Sequence, residues 1–167
     1  FFCNNIMLLT GGPGTGKTAV IKAIAFIFRQ IFPNEELVLC APTGRASQNL
    51  HKSSGYVAKT VYRVLNWGAK QDEFELEKAL KDELNPLEEN LIIDEWSMAD
   101  IELASSTLRA LPNGKKVLVV GDPDQLPSVG PGAVLRDMIV SSCIPRVHLD
   151  KVYRQDENSC LIDNIYR

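Results

Sequence analysis

The stretch Gly11-Gly12-Pro13-Gly14-Thr15-Gly16-Lys17-Thr18 decides the fold of this chain. It satisfies the pattern G-x-x-x-x-G-K-[ST], in which glycines let the backbone wrap so that its N–H groups point at phosphate oxygens. An apolar run at residues 6–9 precedes it and a segment with helical spacing, Lys17–Ile31, follows it. An ordinary glycine-rich turn is the alternative. The flanking strand and helix favour a nucleotide site, in which Lys17 reaches the β- and γ-phosphates and Thr18 places its hydroxyl on Mg²⁺.

Further apolar runs alternate with helical segments along the chain, at residues 37–41, 91–93, 116–120 and 146–149. Strands separated by helices predict an α/β fold with a parallel sheet that helices cover on both faces. The face of the first helix that we expect to be buried carries Val20, Ile24, Ile27 and Phe28. Between residues 68 and 90 charges cluster and Pro86 interrupts the pattern, which indicates a solvated insertion or an edge element.

Composition excludes several classes of protein. The 167 residues suit one domain, and neither an apolar stretch of about 20 residues for a membrane span nor a secretory signal is present. The net charge of −3 is not the electrostatic footprint of a nucleic-acid-binding protein, so any claim about DNA needs other support. The cysteines have no metal-binding spacing, and we expect them to be small buried side chains in a reducing, cytoplasmic compartment: Cys3, Cys40, Cys143 and Cys160.

A pair of acids, Asp94 and Glu95, closes the predicted strand at residues 91–93. One interpretation is that they are two solvated acids at the start of a helix, where the helix dipole favours negative charge. If the chain had no phosphate loop, this interpretation would be preferred. In a chain that already contains a phosphate loop, catalysis is favoured instead. An acid at this position holds Mg²⁺, and a neighbouring glutamate can act as the base for the attacking water.

A second loop of unusual composition, GDPDQLPSVGPG at residues 121–132, follows the predicted strand at 116–120. Its three prolines and its glycines give the backbone a defined path. Gln125 in this loop has the chemistry to hydrogen-bond both a γ-phosphate and the attacking water. A structural turn with an exposed amide explains the same residues, and composition alone does not separate the two interpretations.

Taken together, six blocks resemble the motifs of superfamily 1 helicases, in the same order. They are GGPGTGKT (motif I), APTGRAS (Ia, residues 41–47), TVYRVL (Ib-like, 60–65), LIIDEWSMAD (II, 91–100), GDPDQLPSVGPG (III) and LDKVYRQ (IV, 149–155). Their residues are similar to those of the RecD-type branch, the alpha-subunit family of exonuclease V, which moves 5′ to 3′ on single-stranded DNA. The resemblance implies a P-loop NTPase with a RecA-like parallel sheet. It also implies ATP hydrolysis that drives DNA unwinding in recombination and repair.

The same resemblance implies roles for single residues. Residues 11–18 would hold ATP, Thr18 and Asp94 would hold Mg²⁺, and Glu95 would be the base. The catalytic group would also include Lys17, Gln125 as the γ-phosphate sensor that couples hydrolysis to movement, and Arg154 as a cis arginine on the γ-phosphate. Arg154 has an alternative interpretation, a surface arginine in a polar tail.

Motif Ia implies contacts to the DNA backbone from Pro42, Thr43, Gly44 and Arg45, residue types that suit phosphates without reading sequence. A helix cap with Thr43 as its N-cap residue is a competing interpretation, and both can hold. Tyr62 and Arg63 could face DNA or pack within the fold. Trp96 stands where this family usually has a small residue. Trp67 and Trp96 could stack on bases, but packing is the more ordinary role.

The resemblance covers the first of two RecA-like domains, with a small insertion at about residues 66–90. Motifs V and VI of the second domain are absent, so the chain resembles half of a motor, with single-stranded DNA and other recombination or repair subunits as implied partners. A nucleotide-dependent switch that acts on a protein partner without unwinding is an alternative function. A small-molecule kinase would leave motifs Ia, III and IV unexplained. Stimulation of ATP hydrolysis by single-stranded DNA separates the motor from the switch.

Overall fold

The computed structural model describes residues 1–65, 89–111 and 114–153. Within them, six parallel strands form one sheet in the order β3-β2-β4-β5-β1-β6. The strands are β1 Ile6–Gly11, β2 Leu37–Ala41, β3 Ala58–Thr60, β4 Asn90–Ile93, β5 Val117–Gly121 and β6 Arg146–Leu149. The helices are α1 Lys17–Ile31, α2 Gly44–Ser54, α3 Val61–Val64, α4 Ile101–Ala110 and α5 Val134–Ser141, and a 3₁₀ turn spans Trp96–Met98.

The sheet has a core on each face, as the strand and helix pattern predicts. On one face, strand residues such as Leu8 and Val119 pack with Trp96, Leu103 and Leu135. On the other face, α1 and α2 contribute their buried side chains against alternate strand residues: Ile21, Ala25, Phe28 and Leu50 against Leu9, Leu39, Ile92, Leu118 and Val120. The α/β fold with helices on both faces is therefore confirmed.

All strands run in the same direction, so their carboxyl ends meet at one edge of the sheet. The phosphate loop follows β1, the acid pair follows β4, and the loop with Gln125 follows β5, which pairs with both β1 and β4. Motif Ia follows β2, the other neighbour of β4. The topology thus brings four motifs that are far apart in sequence to one edge.

Three details differ from the sequence predictions. The buried stripe of α1 is Ile21, Ala25 and Phe28, whereas Ile27 is 41% exposed, because the sheet contacts the helix about one residue further round than the apolar pattern indicates. Cys40 is buried, but Cys3 and Cys143 are exposed, so the expectation of buried cysteines is wrong for these two. The short strand β3 was not predicted.

Some predictions concern parts of the chain that the structure does not describe. Most of the predicted insertion at 66–90 lies there, as do Trp67, Arg154 and Cys160. Asn90, at the end of the predicted insertion, already belongs to β4. Within the described residues, no helix is long and apolar enough to cross a membrane.

Candidate nucleotide site

The phosphate loop gets its shape from glycines in the left-handed region. Gly14 has φ 77° and Gly16, the N-cap residue of α1, has φ 92°, a conformation that side-chain-bearing residues rarely adopt. As a glycine, the N-cap residue Gly16 has no side chain with which to cap α1. Its first N–H groups and the positive end of the helix dipole therefore face the loop, an arrangement that suits phosphate oxygens.

Lys17 crosses the phosphate loop. Its Nζ donates hydrogen bonds to the carbonyl oxygens of Gly11 at 2.6 Å and Gly12 at 3.0 Å. The Thr15 hydroxyl donates to the same Gly12 oxygen at 2.9 Å. A Cβ at position 11 would lie 2.7 Å from Thr15 Oγ1 and 2.8 Å from the Leu149 carbonyl oxygen, so only glycine fits where β6 approaches the loop.

The segment after β6 returns to the phosphate loop. The backbone N–H of Tyr153 donates to the Gly14 carbonyl oxygen at 3.0 Å, and the tyrosine side chain is 73% exposed. This contact places motif IV beside the loop. Tyr153 was not among the predicted site residues, although its position directly before Arg154 in motif IV was an available signal. Arg154 itself lies outside the described residues.

Asp94 is 9% exposed at the end of β4, which excludes a pair of fully solvated acids. Its backbone N–H donates to the Cys40 carbonyl oxygen of β2, and its Oδ1 accepts from the N–H of Glu95. The pKa of Asp94 is raised to about 6, chiefly by burial and also by the Glu95 carboxylate, which together outweigh the Glu95 N–H and the Lys17 ammonium that lower it. The charged form of Asp94 is thus destabilised in this site, and a cation close to its carboxylate would stabilise it.

Glu95 is held in a strained conformation. Its φ is 56°, and a non-glycine residue in the left-handed region carries a backbone cost that surrounding contacts must offset. The Glu95 carbonyl oxygen accepts from the N–H of Met98, which closes the 3₁₀ turn. Within the described residues, Glu95 Oε2 is buried without a hydrogen-bond partner. A buried carboxylate oxygen of this kind has the free lone pairs that a bound water or a cation requires.

Gln125 approaches the acids from the next loop. The Ser97 hydroxyl donates to Gln125 Oε1 at 3.2 Å, and thereby joins the turn after β4 to the loop after β5. Asp122, almost wholly buried, accepts the backbone N–H of Asp124 on its Oδ1 and stabilises this loop at its start. Ser97 was not among the predicted site residues, because a serine in a turn carries no signal for a partner 28 positions away.

These elements enclose a cavity of about 520 Å³ at the carboxyl edge of the sheet. Its lining includes the predicted catalytic and metal-binding residues Thr18, Asp94, Glu95 and Gln125. Polar residues of α2 and its N-cap also line it: Thr43, Arg45, Asn49 and Lys52. The structure therefore brings together residues from motifs I, Ia, II and III.

Motif Ia starts α2. Thr43 is its N-cap residue, and its Oγ1 accepts the Ala46 N–H at 3.2 Å, so the capping interpretation is confirmed. Pro42 is buried, whereas Gly44 and Arg45 are exposed. Arg45 also lines the cavity that contains Glu95, so its guanidinium is within reach of both the nucleotide site and the outer surface.

The residues present fit a magnesium nucleotide. Within the described residues, no three His, Cys, Asp or Glu side chains are grouped as a metal cluster. Mg²⁺ in nucleotide enzymes needs only one or two protein ligands, because phosphates and waters complete its shell. Thr18 and Asp94 line the same cavity, and hard oxygen ligands of this type suit the ion.

A family model, two relatives and one solved structure are similar to this chain. A family model described as "AAA domain" matches residues 3–162. The ATP-dependent RecD2 DNA helicase of Deinococcus radiodurans is 39% identical over 95% of this chain, and the RecBCD enzyme subunit RecD of Mycolicibacterium smegmatis is 31% identical over 80%. The chain spans 21% and 27% of these relatives, respectively. The Pif1 helicase of Candida albicans has a similar fold, with a TM-score of 0.62 at 23% identity over 96% of this chain and 39% of that one.

Proposed function

The chain belongs to the AAA domain family, a nucleotide-binding family, and from that premise we propose that it is the first RecA-like motor domain of a RecD-type DNA helicase. It hydrolyses ATP with Mg²⁺. A second RecA-like domain, outside this chain, completes the motor in the intact protein. The relatives named as DNA helicase and as RecD subunit, of which this chain spans about a fifth to a quarter, support that arrangement.

One observation carries the proposal: Thr18, Asp94, Glu95 and Gln125 line a single cavity at the edge where four strands end. A metal-binding hydroxyl, a metal-binding carboxylate, a base and an amide donor are the parts that hydrolysis of a phosphoanhydride requires. A protein that only bound nucleotide would have no need, in this cavity, of a glutamate with a strained backbone and a buried carboxylate oxygen that has no partner among the described residues.

Binding uses the phosphate loop. The N–H groups of the loop and of the first turn of α1 donate to phosphate oxygens, and Lys17 exchanges the Gly11 and Gly12 carbonyls for the β- and γ-phosphates. Thr18 and Asp94 would hold Mg²⁺, which would neutralise charge on the phosphate oxygens when bound. Burial destabilises the Asp94 carboxylate, and a cation held beside it would stabilise the charged form.

Hydrolysis uses the Glu95 side. Glu95 Oε2 accepts a proton from a water molecule as the water oxygen forms a bond to the γ-phosphorus. The bond between that phosphorus and the β,γ-bridging oxygen breaks, and ADP and phosphate leave. Gln125 donates to a γ-phosphate oxygen, and Lys17 and Arg154 stabilise the charge that develops there. Gln125 thus senses whether the γ-phosphate is present.

Single-stranded DNA is the proposed track. Thr43, Gly44 and Arg45 lie at the start of α2 and provide a hydroxyl, close backbone approach and a guanidinium for phosphates, and Pro42, which is buried, precedes them. The net charge of −3 means that such local contacts, and not a general positive field, hold the strand. Other recombination or repair subunits are proposed partners, by analogy with the relative named as a RecBCD subunit.

Strand displacement by the full-length protein tests this function. Duplex DNA with a 5′ single-stranded tail and duplex DNA with a 3′ tail are incubated with ATP and Mg²⁺, and the displaced strand is measured. We expect displacement from the 5′-tailed substrate and none by a Lys17→Ala variant. ATP hydrolysis without displacement from either substrate would contradict the helicase assignment.

A further inference from the structure

The hydroxyl of Ser97 connects two parts of the site that the proposed mechanism treats separately. Ser97 lies in the 3₁₀ turn two positions after Glu95, is 9% exposed and donates to Gln125 Oε1 at 3.2 Å. Gln125 lies in the loop after β5 and is exposed. Its backbone N–H donates to the Asp122 carbonyl oxygen, a contact that fixes the backbone of the loop but not the amide of the side chain.

The end of β5 is closely packed against the turn that carries Ser97. A Cβ built at Gly121 would lie 3.3 Å from the Ser97 nitrogen and 2.6 Å from Leu135 Cδ2. The backbone of the turn and the base of the Gln125 loop are therefore in direct contact. This contact fixes the place from which the Ser97 hydroxyl donates, and makes Ser97 a rigid anchor for a long side chain on an exposed loop.

The chemistry of the amide defines the consequence. A glutamine amide has an oxygen that accepts and a nitrogen that donates twice. Ser97 occupies the oxygen, so the two N–H donors are the groups that Gln125 offers to the cavity it shares with Thr18, Asp94 and Glu95. Donors match the oxygens of a γ-phosphate. An unanchored glutamine would rotate among its rotamers, and it could present its oxygen to the phosphate, which repels it.

We propose that Ser97 is a positioning residue: its hydroxyl holds the Gln125 amide oxygen and so directs the amide N–H groups at the γ-phosphate. The inference rests on the proposed function and deepens it. According to this inference, the 3₁₀ turn after Asp94 and Glu95 also orients Gln125, the proposed γ-phosphate sensor. Because Ser97 follows Glu95 so closely, the same hydrogen bond links the sensor to the turn that carries the base.

A double-mutant cycle in the full-length protein tests this inference. The kcat and KM for ATP at saturating single-stranded DNA, the ADP affinity and the thermal unfolding midpoint are measured for Ser97→Ala, Ser97→Thr, Gln125→Ala and the double variant Ser97→Ala/Gln125→Ala. We expect Ser97→Ala to lower kcat about 3- to 10-fold, the range for loss of one hydrogen bond, with ADP affinity unchanged. Ser97→Thr keeps the hydroxyl that makes this hydrogen bond, so we expect its kcat to lie within about 2-fold of the wild-type value.

The cycle separates positioning from a structural role. If Ser97 acts through Gln125, then Ser97→Ala has no further effect on kcat once Gln125 is alanine. An equal loss of kcat in both backgrounds, or wild-type kcat for Ser97→Ala, would overturn the inference and leave the proposed function standing. Gln125 is exposed, so Gln125→Ala tests the pair without disturbing the core. Absence of ATP turnover in the wild type, by contrast, would overturn the proposed function and this inference together.

Discussion

The phosphate loop and the wall of the cavity formed by the segments after β4 and β5 are built in different ways. The loop is largely local: its side-chain hydrogen bonds join Lys17 and Thr15 to carbonyls at most six positions away, and its shape comes from its own glycines, while Tyr153 adds one backbone contact from a distant segment. The wall is assembled from two strands, with Asp94 and Glu95 after β4 and Gln125 after β5, joined by Ser97. A local element is encoded by a contiguous motif, whereas the wall exists only once the sheet has formed. We expect the loop to control binding and the wall to control turnover.

Glu95→Gln should give the largest effect and should act on the wall alone. Loss of the base is expected to lower kcat for ATP about 100- to 10,000-fold, the range for general base catalysis, while nucleotide affinity stays near wild type. Turnover and nucleotide titration of the full-length protein provide the check. Glu102→Gln, the same change at an exposed position of α4, is the control. Wild-type turnover by Glu95→Gln would mean that another group is the base.

Lys17→Ala changes the loop alone. We expect loss of measurable ATP binding and a fall in turnover of about 100- to 1,000-fold, as for removal of one preorganised charge from a phosphate site. Lys22→Ala, an exposed lysine of the same helix, should behave as wild type. If Lys17→Ala bound ATP normally and lost only turnover, the division between a binding loop and a catalytic wall would be incorrect.

Asp94→Asn sharpens the comparison, because it measures by how much the buried carboxylate of this wall lowers the free energy of unfolding. The pKa of Asp94 is raised to about 6, so between about pH 4 and pH 6 the folded chain binds a proton that the unfolded chain has lost. The free energy of unfolding therefore falls as the pH rises through this window. Asparagine removes that cost, and should raise the free energy of unfolding without nucleotide by about 1–3 kcal/mol at pH 7.5 and by little at pH 4.

Denaturant unfolding of this chain at the two pH values provides the measurement, with Asp137→Asn on the exposed side of α5 as the control. The variant should also lose Mg²⁺-dependent ATP turnover. A stabilisation that is equal at both pH values would show that burial of the Asp94 charge is not its cause.

Arg45→Ala should give the smallest effect and decides to which function α2 belongs. If Arg45 holds a DNA phosphate, its loss weakens single-stranded DNA binding a few-fold and lowers the slope of log affinity against log salt by about 0.7, with ATP affinity unchanged. Arg109→Ala on α4 is the control. Because Arg45 lines the cavity beside Glu95, the opposite result is a defined alternative: lower ATP affinity or turnover with normal DNA binding would assign it to the nucleotide.

Much of the fold was predictable because it depends on local patterns. The bounds of α1, β2 and β6 agree with the prediction to the residue, and the other predicted strands agree to within one or two residues. The resemblance to RecD-type helicases is confirmed by the relatives. The strand β3 was missed because three residues, Ala58, Lys59 and Thr60, show no clear alternation, and they form a strand only because β2 offers an edge.

The features of the site also fall into those that the sequence predicts and those that it does not. The predicted residues at positions 18, 94, 95 and 125 line one cavity, as motif order and parallel topology require, and their roles stay predictions. The burial of Asp94, the left-handed backbone of Glu95 and the contact of Ser97 with Gln125 could not be predicted. Each depends on packing between the ends of β4 and β5, which no single segment of the sequence encodes.

The central claim, that this chain is the motor domain of a DNA helicase, is tested most directly by the rate of ATP hydrolysis of the full-length protein with and without single-stranded DNA. We predict that DNA raises kcat at least several-fold, and that Glu95→Gln abolishes both the basal and the stimulated rate. A rate of hydrolysis that single-stranded DNA leaves unchanged would contradict the claim. The nucleotide site would then serve a switch that acts on a protein partner.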